Sequence, residues 1–110
     1  MAQPGPRYKS IPVNVTSSGD NVVLISANNP INIYGLYLVS DTQQYITYKN
    51  GSTALSGGLF FTIGGSSNLM PDGFVKYVCG SGAPPNGGFV INLSVGGRVA
   101  GTLYYTLGGM

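Results

Sequence analysis

The sequence INIYGLYLVSDTQQYITYKNGSTALSG, residues 31–57, carries the strongest strand pattern in this chain. Successive side chains of an extended strand point to opposite faces of the sheet. That alternation predicts two largely apolar faces, one formed by Ile31, Ile33, Tyr37 and Val39 and the other by Asn32, Tyr34, Leu36 and Leu38. An antiparallel strand with one face in water is usually polar on that face. Both faces of this strand are therefore expected to be covered.

Turn signals on either side of the next segment predict hairpins. Residues 40–42, Ser-Asp-Thr, favour a turn, and residues 43–50 then resume an extended pattern. Asn50 and Gly51 tolerate positive φ and predict a further tight turn. The pair Gly96-Gly97 similarly predicts a two-residue hairpin turn near the end of the chain.

Composition indicates one small all-β domain. The chain has 110 residues, including 18 Gly and 7 Pro that separate short apolar segments. Many short strands joined by such turns are typical of antiparallel sandwiches and barrels. No window keeps an apolar period of 3.6 residues, so no helix is expected. We predict an antiparallel β-sandwich, jelly-roll-like or tulip-like, at residues 13–110, preceded by an extended N-terminal arm at residues 1–12.

The predicted arm carries basic and aromatic side chains close together. Pro4 and Pro6 favour extended backbone in the residues before them. A loose terminus is the usual fate of such a segment. The alternative is a tether that becomes ordered on a partner, and its contact residues would then be Arg7, Tyr8 and Lys9.

Charge is scarce throughout the chain. Charged residues make up 7% of the sequence, and the net charge is only +2. That charge is too small to indicate binding to nucleic acid or to an anionic membrane. Soluble monomers usually carry more charge, so the composition favours a protein that is docked on a partner. The second apolar face of the central strand, with Tyr34, Leu36 and Leu38, is the predicted subunit interface.

The sequence lacks the usual means of catalysis. It contains no His, the commonest general base and metal ligand. Asp20, Asp41 and Asp72 lie in predicted turns, where Asp bonds to nearby backbone amides. Cys79 is the single cysteine, so no intrachain disulfide is possible, and a buried or incidental thiol is expected. We predict no enzymatic activity, no metal and no cofactor.

Nothing in the sequence predicts export or membrane insertion. The N-terminal residues lack the apolar segment of a signal peptide, and no apolar run approaches membrane-spanning length. Synthesis in a cytoplasm is therefore expected.

Several motifs occur in a recognisable order: YKNGSTALSG at residues 48–57, MPDGF at 70–74, NLS at 92–94 and VAGTLYY at 99–105. Over residues 21–106 they resemble the small decoration, or cement, proteins of tailed-bacteriophage heads. The resemblance implies a trimeric, tulip-like β-sandwich that binds the major capsid protein on the outer surface of the virion, after synthesis in the host cytoplasm. The chain departs from the family pattern at residues 80–88, which contain two successive Pro.

Two other functions remain open at this point. Tyr34, Tyr45 and Tyr48, with Gln43 and Gln44, have the residue types of a glycan-binding patch, in which rings stack on sugars and amides bond to hydroxyls. Such a patch would suit a lectin-like domain or the receptor-binding tip of a fibre or tail. The same tyrosines are also explained as cross-strand pairs that stabilise a sheet. A scaffold or tail-tip component of the same particle is the third possibility.

Overall fold

Ten β-strands are found in the residues that this computed structural model describes, 8–70 and 72–108. The strands are β1 (Lys9–Val15), β2 (Gly19–Leu24), β3 (Ile31–Ser40), β4 (Gln44–Asn50), β5 (Thr53–Ala54), β6 (Leu59–Phe61), β7 (Ser66–Leu69), β8 (Tyr77–Cys79), β9 (Phe89–Leu93) and β10 (Val99–Leu107). They form two antiparallel five-stranded sheets packed on one hydrophobic core. The predicted all-β sandwich is confirmed, and its jelly-roll or tulip-like form stays a prediction.

The order of strands shows how the chain alternates between the sheets. The first sheet has the order β1-β10-β3, and β7 and β8 both pair with the other side of β3. The second sheet has the order β2-β9-β4, and β5 and β6 both pair with β4. The links from β1 to β2, β3 to β4 and β9 to β10 all pass from one sheet to the other.

The link between β3 and β4 is consequently an arch, and the hairpin predicted around residues 40–42 is wrong. Gly96-Gly97 likewise joins facing sheets instead of adjacent strands, so the hairpin predicted there is also wrong. The physical reason is burial. An arch places the apolar side chains of two consecutive strands against each other across the core, as with Leu38 of β3 and Ile46 of β4, which are both fully buried.

A β-bulge at Tyr34 changes the face on which the residues of β3 lie. In the pairing with β10, Tyr105 lies opposite Ile33 and Tyr104 lies opposite Gly35, which leaves Tyr34 as an extra residue. Strict alternation is interrupted there. The faces predicted for residues 36–39, which follow the bulge, are therefore wrong. Four apolar residues from both sides of the bulge point into one core: Ile31, Ile33, Leu36 and Leu38.

The first strand begins earlier than the sequence predicts. β1 starts at Lys9 and pairs with β10 along its whole length, from Lys9 opposite Tyr105 to Val15 opposite Val99. The boundary predicted at residue 12 therefore lies inside β1. Pro12 is tolerated there because β1 is an edge strand, whose outer side needs no hydrogen-bond donor.

A buried glutamine fixes the arch regions at one end of the sandwich. The Gln44 Oε1 atom accepts hydrogen bonds from the backbone amides of Val95 and Gly96, each at 3.1 Å. Its Nε2 atom donates to the Gly96 carbonyl at 2.6 Å and to the Ser40 hydroxyl at 3.3 Å. Buried polar groups require such partners, so Gln44 ties the β3–β4 arch to the β9–β10 arch.

Candidate docking surface

The outer face of the first sheet is rich in tyrosine, and none of the described strand residues that the register places on it is charged. Cross-strand partners share a face, so the strand register assigns its members. We call it the tyrosine face, and it consists of Tyr8, Ser10, Pro12, Asn14, Asn32, Tyr34, Tyr37, Val39, Ser66, Asn68, Val78, Ala100, Thr102, Tyr104 and Thr106. Interfaces between proteins are depleted in charge and enriched in aromatic residues in the same way.

One end of the tyrosine face is closely packed. The ring of Tyr8 lies 4.8 Å from the ring of Tyr34, and Tyr34 is only 3% exposed. The Asn32 amide nitrogen beside it donates to the Thr106 hydroxyl and to the Gly108 carbonyl. These contacts give this end of the face a defined shape before any partner binds.

The middle of the tyrosine face is more open to solvent. Tyr37 of β3 is 41% exposed, and it lies between Thr102 of β10 and Asn68 of β7. Val78 of β8, opposite Asn32 towards the packed end, is also 49% exposed. The free energy falls when a partner covers an apolar surface of this kind, which has hydroxyl and amide groups around it.

A shallow apolar groove of about 330 Å³ extends the tyrosine face at its other end. Its lining consists of Val39, Ser40, Asp41, Ile63, Gly64, Arg98 and Ala100. Ile63 is highly exposed at its rim, and the Arg98 guanidinium forms no ion pair with any carboxylate of the described residues. The groove therefore offers apolar walls and one cation to a side chain from a partner.

The predicted interface residues do not lie together. Leu36 and Leu38 are fully buried in the protomer's own core, so the prediction that they form a subunit interface is wrong. The bulge at Tyr34 is the reason, because it turns both leucines inward. Tyr34 itself does lie on the outer face, beneath Tyr8.

The residues predicted to contact the capsid, Arg7, Tyr8 and Lys9, are only partly described by the structure. Arg7 lies outside the described residues. Tyr8 contacts Tyr34, so it connects the arm with the tyrosine face. Lys9 is the first residue of β1, and its side chain is exposed at the sheet edge. A role of this arm in binding a capsid stays a prediction.

The glycan patch predicted from the sequence is not assembled. Tyr48 is 1% exposed in the core, and Gln44 is buried in the arch network. Tyr34 belongs to the other sheet, whereas Tyr45 lies exposed on β4, where its ring packs against Phe60. The expected cross-strand pairing thus holds for Tyr45, whose partner Phe60 the sequence did not single out.

The carboxylates of Asp41 and Asp72 both accept hydrogen bonds from backbone amides. The Asp41 Oδ1 atom accepts from the Arg98 amide at 2.8 Å, and Asp72 accepts from the Phe74 amide, both in turns as predicted. Asp20 lies in strand β2, so its predicted turn position is wrong. The hydrogen bond from Asn92, and then that from Lys49, lower the pKa of Asp20.

Neither a metal centre nor a membrane-spanning helix is found in the described ranges. No group of three or more Asp, Glu, Cys or His side chains there could hold a metal ion. No helix of a length and apolarity suited to crossing a bilayer occurs in the same residues. Cys79 is fully buried, as expected, and burial raises the pKa of its thiol to about 11.

Comparison of the chain with protein-family models, with curated proteins and with solved structures found no match.

Proposed function

We propose that this protein is a non-enzymatic structural component of a bacteriophage virion, a capsid decoration protein that trimerises and stabilises the outer surface of the shell. The observation that carries this proposal is the uncharged tyrosine face, with exposed Tyr37 at its middle and exposed Val78 opposite Asn32 towards one end. A surface of this composition favours permanent burial over contact with water.

Self-association is the use that best suits an uncharged face. In a symmetric oligomer, identical surfaces surround the symmetry axis, so any charge near the axis lies close to its own copy. The tyrosine face avoids that repulsion because its described side chains are all neutral. The molecule measures 46 × 30 × 20 Å, and a broad face of that size can supply the roughly 800 Å² per partner of a specific interface.

Attachment to the shell is assigned to the arm. Residues 1–7 lead into Tyr8, which packs on the edge of the tyrosine face beside Tyr34. In this proposal residues 1–7 contact the shell, and Arg7, together with Lys9 at the start of β1, supplies positive charge. The proposed partner is an acidic or polar groove on the major capsid protein.

The strand order supports the jelly-roll assignment. Consecutive strands such as β1 and β2, β3 and β4, and β9 and β10 lie in opposite sheets and occupy corresponding positions in them. A jelly roll has that arrangement, with eight strands in two facing sheets that are connected as two Greek keys. Together with the motif order at residues 48–105, this arrangement supports membership of the decoration-protein group.

Sedimentation of the purified full chain tests the trimer. Wild-type protein is expected at three times the protomer mass of 11.4 kDa. Thr102→Glu places a charge at the centre of the tyrosine face, between Tyr37 and Pro12, and should give a folded monomer. The matched control Thr47→Glu lies on the outer face of the second sheet and should remain trimeric. A wild-type monomer at micromolar concentration, or a trimeric Thr102→Glu variant, would contradict assembly through this face.

A separate binding measurement tests attachment. A chain lacking residues 1–7 should remain trimeric but show reduced occupancy on capsids that have been stripped of the protein. Equal occupancy by the truncated and full chains would reject the arm as the tether. Failure of the full chain to bind any capsid would reject the decoration function itself.

A further inference from the structure

The outer face of the second sheet presents an exposed aromatic pair. Tyr45 of β4 and Phe60 of β6 are cross-strand partners, and their ring centroids lie 5.2 Å apart with planes inclined at 53°. They are 56% and 54% exposed. About half of the surface of each residue is therefore exposed, on the side of the sandwich opposite the tyrosine face.

A polar network lies next to this pair on the same face. Asp20 of β2, Asn92 of β9 and Thr47 of β4 form one cross-strand row, and Tyr45 is two residues before Thr47. Residues two apart on a strand share a face at about 7 Å. Asp20 accepts a hydrogen bond from the Asn92 amide at 2.7 Å and pairs with the Lys49 ammonium at 3.0 Å.

The network retains hydrogen-bonding capacity for a ligand. The Asp20 side chain is 46% exposed, and its lowered pKa keeps it ionised at neutral pH, as an acceptor. The Asn92 amide donates to Asp20, which leaves its carbonyl oxygen directed elsewhere. A hydroxyl-rich ligand that lies over this row would find acceptors and donors side by side.

We propose that this face binds a neutral saccharide. The C–H face of a sugar ring stacks on Tyr45 and Phe60, while ring hydroxyls bond to Asp20 and Asn92. Aromatic rings next to amide and carboxylate groups combine the apolar and polar contacts that a pyranose requires.

Charge selects a neutral sugar over other ligands that stack on aromatic rings. Asp20 and Lys49 neutralise each other, and the other described side chains of this face carry no charge. Single-stranded nucleic acid also stacks on aromatic residues, but it requires cations that are free to contact phosphate. Lys49 is already paired with Asp20, so the face lacks that contact.

A glycan array probed with the full chain tests the proposal. The array carries neutral oligosaccharides of glucose, galactose, mannose and N-acetylglucosamine, beside sialylated and sulfated ones. Wild-type protein should bind at least one neutral glycan. Tyr45→Ala and Phe60→Ala should each weaken that binding about tenfold or more. Asn92→Leu should also weaken it, because the hydroxyl contacts are lost.

Phe74→Ala is the matched control, since it removes a highly exposed aromatic ring that lies in no strand of either sheet and should leave glycan binding unchanged. Circular dichroism of each variant ensures that a loss of binding is not a loss of fold. The proposal is overturned if no neutral glycan binds, if Tyr45→Ala and Phe60→Ala bind as wild type does, or if only a single-stranded oligonucleotide binds. None of these outcomes depends on the trimer or on capsid attachment, so they leave the proposed function to its own tests.

Discussion

The rings of Tyr8 and Tyr34 lie 4.8 Å apart, and this contact joins the start of β1 to the bulge in β3. The two strands are not adjacent, because β10 lies between them in the sheet. The contact therefore spans β10 on its outer side. Tyr34, the extra residue of the bulge, therefore lies on the outer side of the sheet. Leu36 and Leu38, which follow it, point into the core.

Replacing Tyr34 by Ala should destabilise the protein by about 3 kcal/mol, because a buried ring is lost and the bulge loses its packing. Tyr37→Ala, three residues further along β3, removes a ring that is 41% exposed and should cost less than about 1 kcal/mol. Denaturant unfolding of both variants measures the difference. Equal losses would contradict the assignment of Tyr34 as the covered residue of this face.

Leu36→Asp should prevent folding instead of producing a soluble monomer. Leu36 is fully buried between the sheets, and an unpaired carboxylate there has no partner to offset its desolvation. Circular dichroism and proteolysis of the expressed variant are the measurements, with Thr102→Glu as the folded comparison. A folded, monomeric Leu36→Asp variant would restore Leu36 to the interface.

Gly101→Ala should destabilise the sheet by about 2 kcal/mol or more, because it overpacks the contact between β10 and β3. A Cβ atom at residue 101 would clash with the backbone carbonyl oxygen of Tyr37, and backbone cannot move aside cheaply. Gly57→Ala is the matched control, since a Cβ atom there has nothing within 4 Å. Melting temperatures of the two variants should differ clearly, and similar values would count against the close approach of these strands.

Gln44→Leu should cost about 2–4 kcal/mol, since the amides of Val95 and Gly96 lose the side-chain oxygen that accepts from them. Gln44→Glu retains the acceptor but loses the donation to the Gly96 carbonyl, and it buries a charge. Its stability should therefore improve as the pH is lowered and the carboxyl group takes up a proton. Hydrogen exchange of the Val95 and Gly96 amides in Gln44→Leu measures the local effect. Unchanged protection of these amides would contradict the role of Gln44 in joining the two arches.

The Cys79 thiol should react slowly in the native protein and rapidly in denaturant, because it is buried. Burial raises its pKa from the ordinary value of 9.0 to about 11. Because the pKa of the thiol is higher in the folded than in the unfolded protein, the stability that the buried neutral thiol contributes is fully present below about pH 9. That stability is lost as the pH rises towards 11. The free energy of unfolding of wild type and Cys79→Ala across this interval isolates the contribution. Parallel curves for the two proteins would show that the thiol contributes nothing.

Part of the fold follows from residue patterns alone. Residues 31–39 lie where the sequence predicts a strand, and Ile31 and Ile33 are buried. The bulge was not predictable from the alternation, because a bulge is a property of a strand pair and not of one strand. Only one member of the exposed Tyr45–Phe60 pair was predicted from the sequence. Tyr45 was a candidate glycan-binding residue, but its pairing with Phe60 depends on the β4–β6 register.

The sequence by itself determined the chemical character of this protein: all-β structure, very little charge, no His and a surplus of tyrosine. Only the tertiary structure decided which tyrosines reach the surface and which apolar residues form the core. The physical reason is that alternation fixes relative faces only until an extra residue is inserted. Pairing with β10 then decides where Tyr34 is accommodated and on which side Leu36 and Leu38 lie.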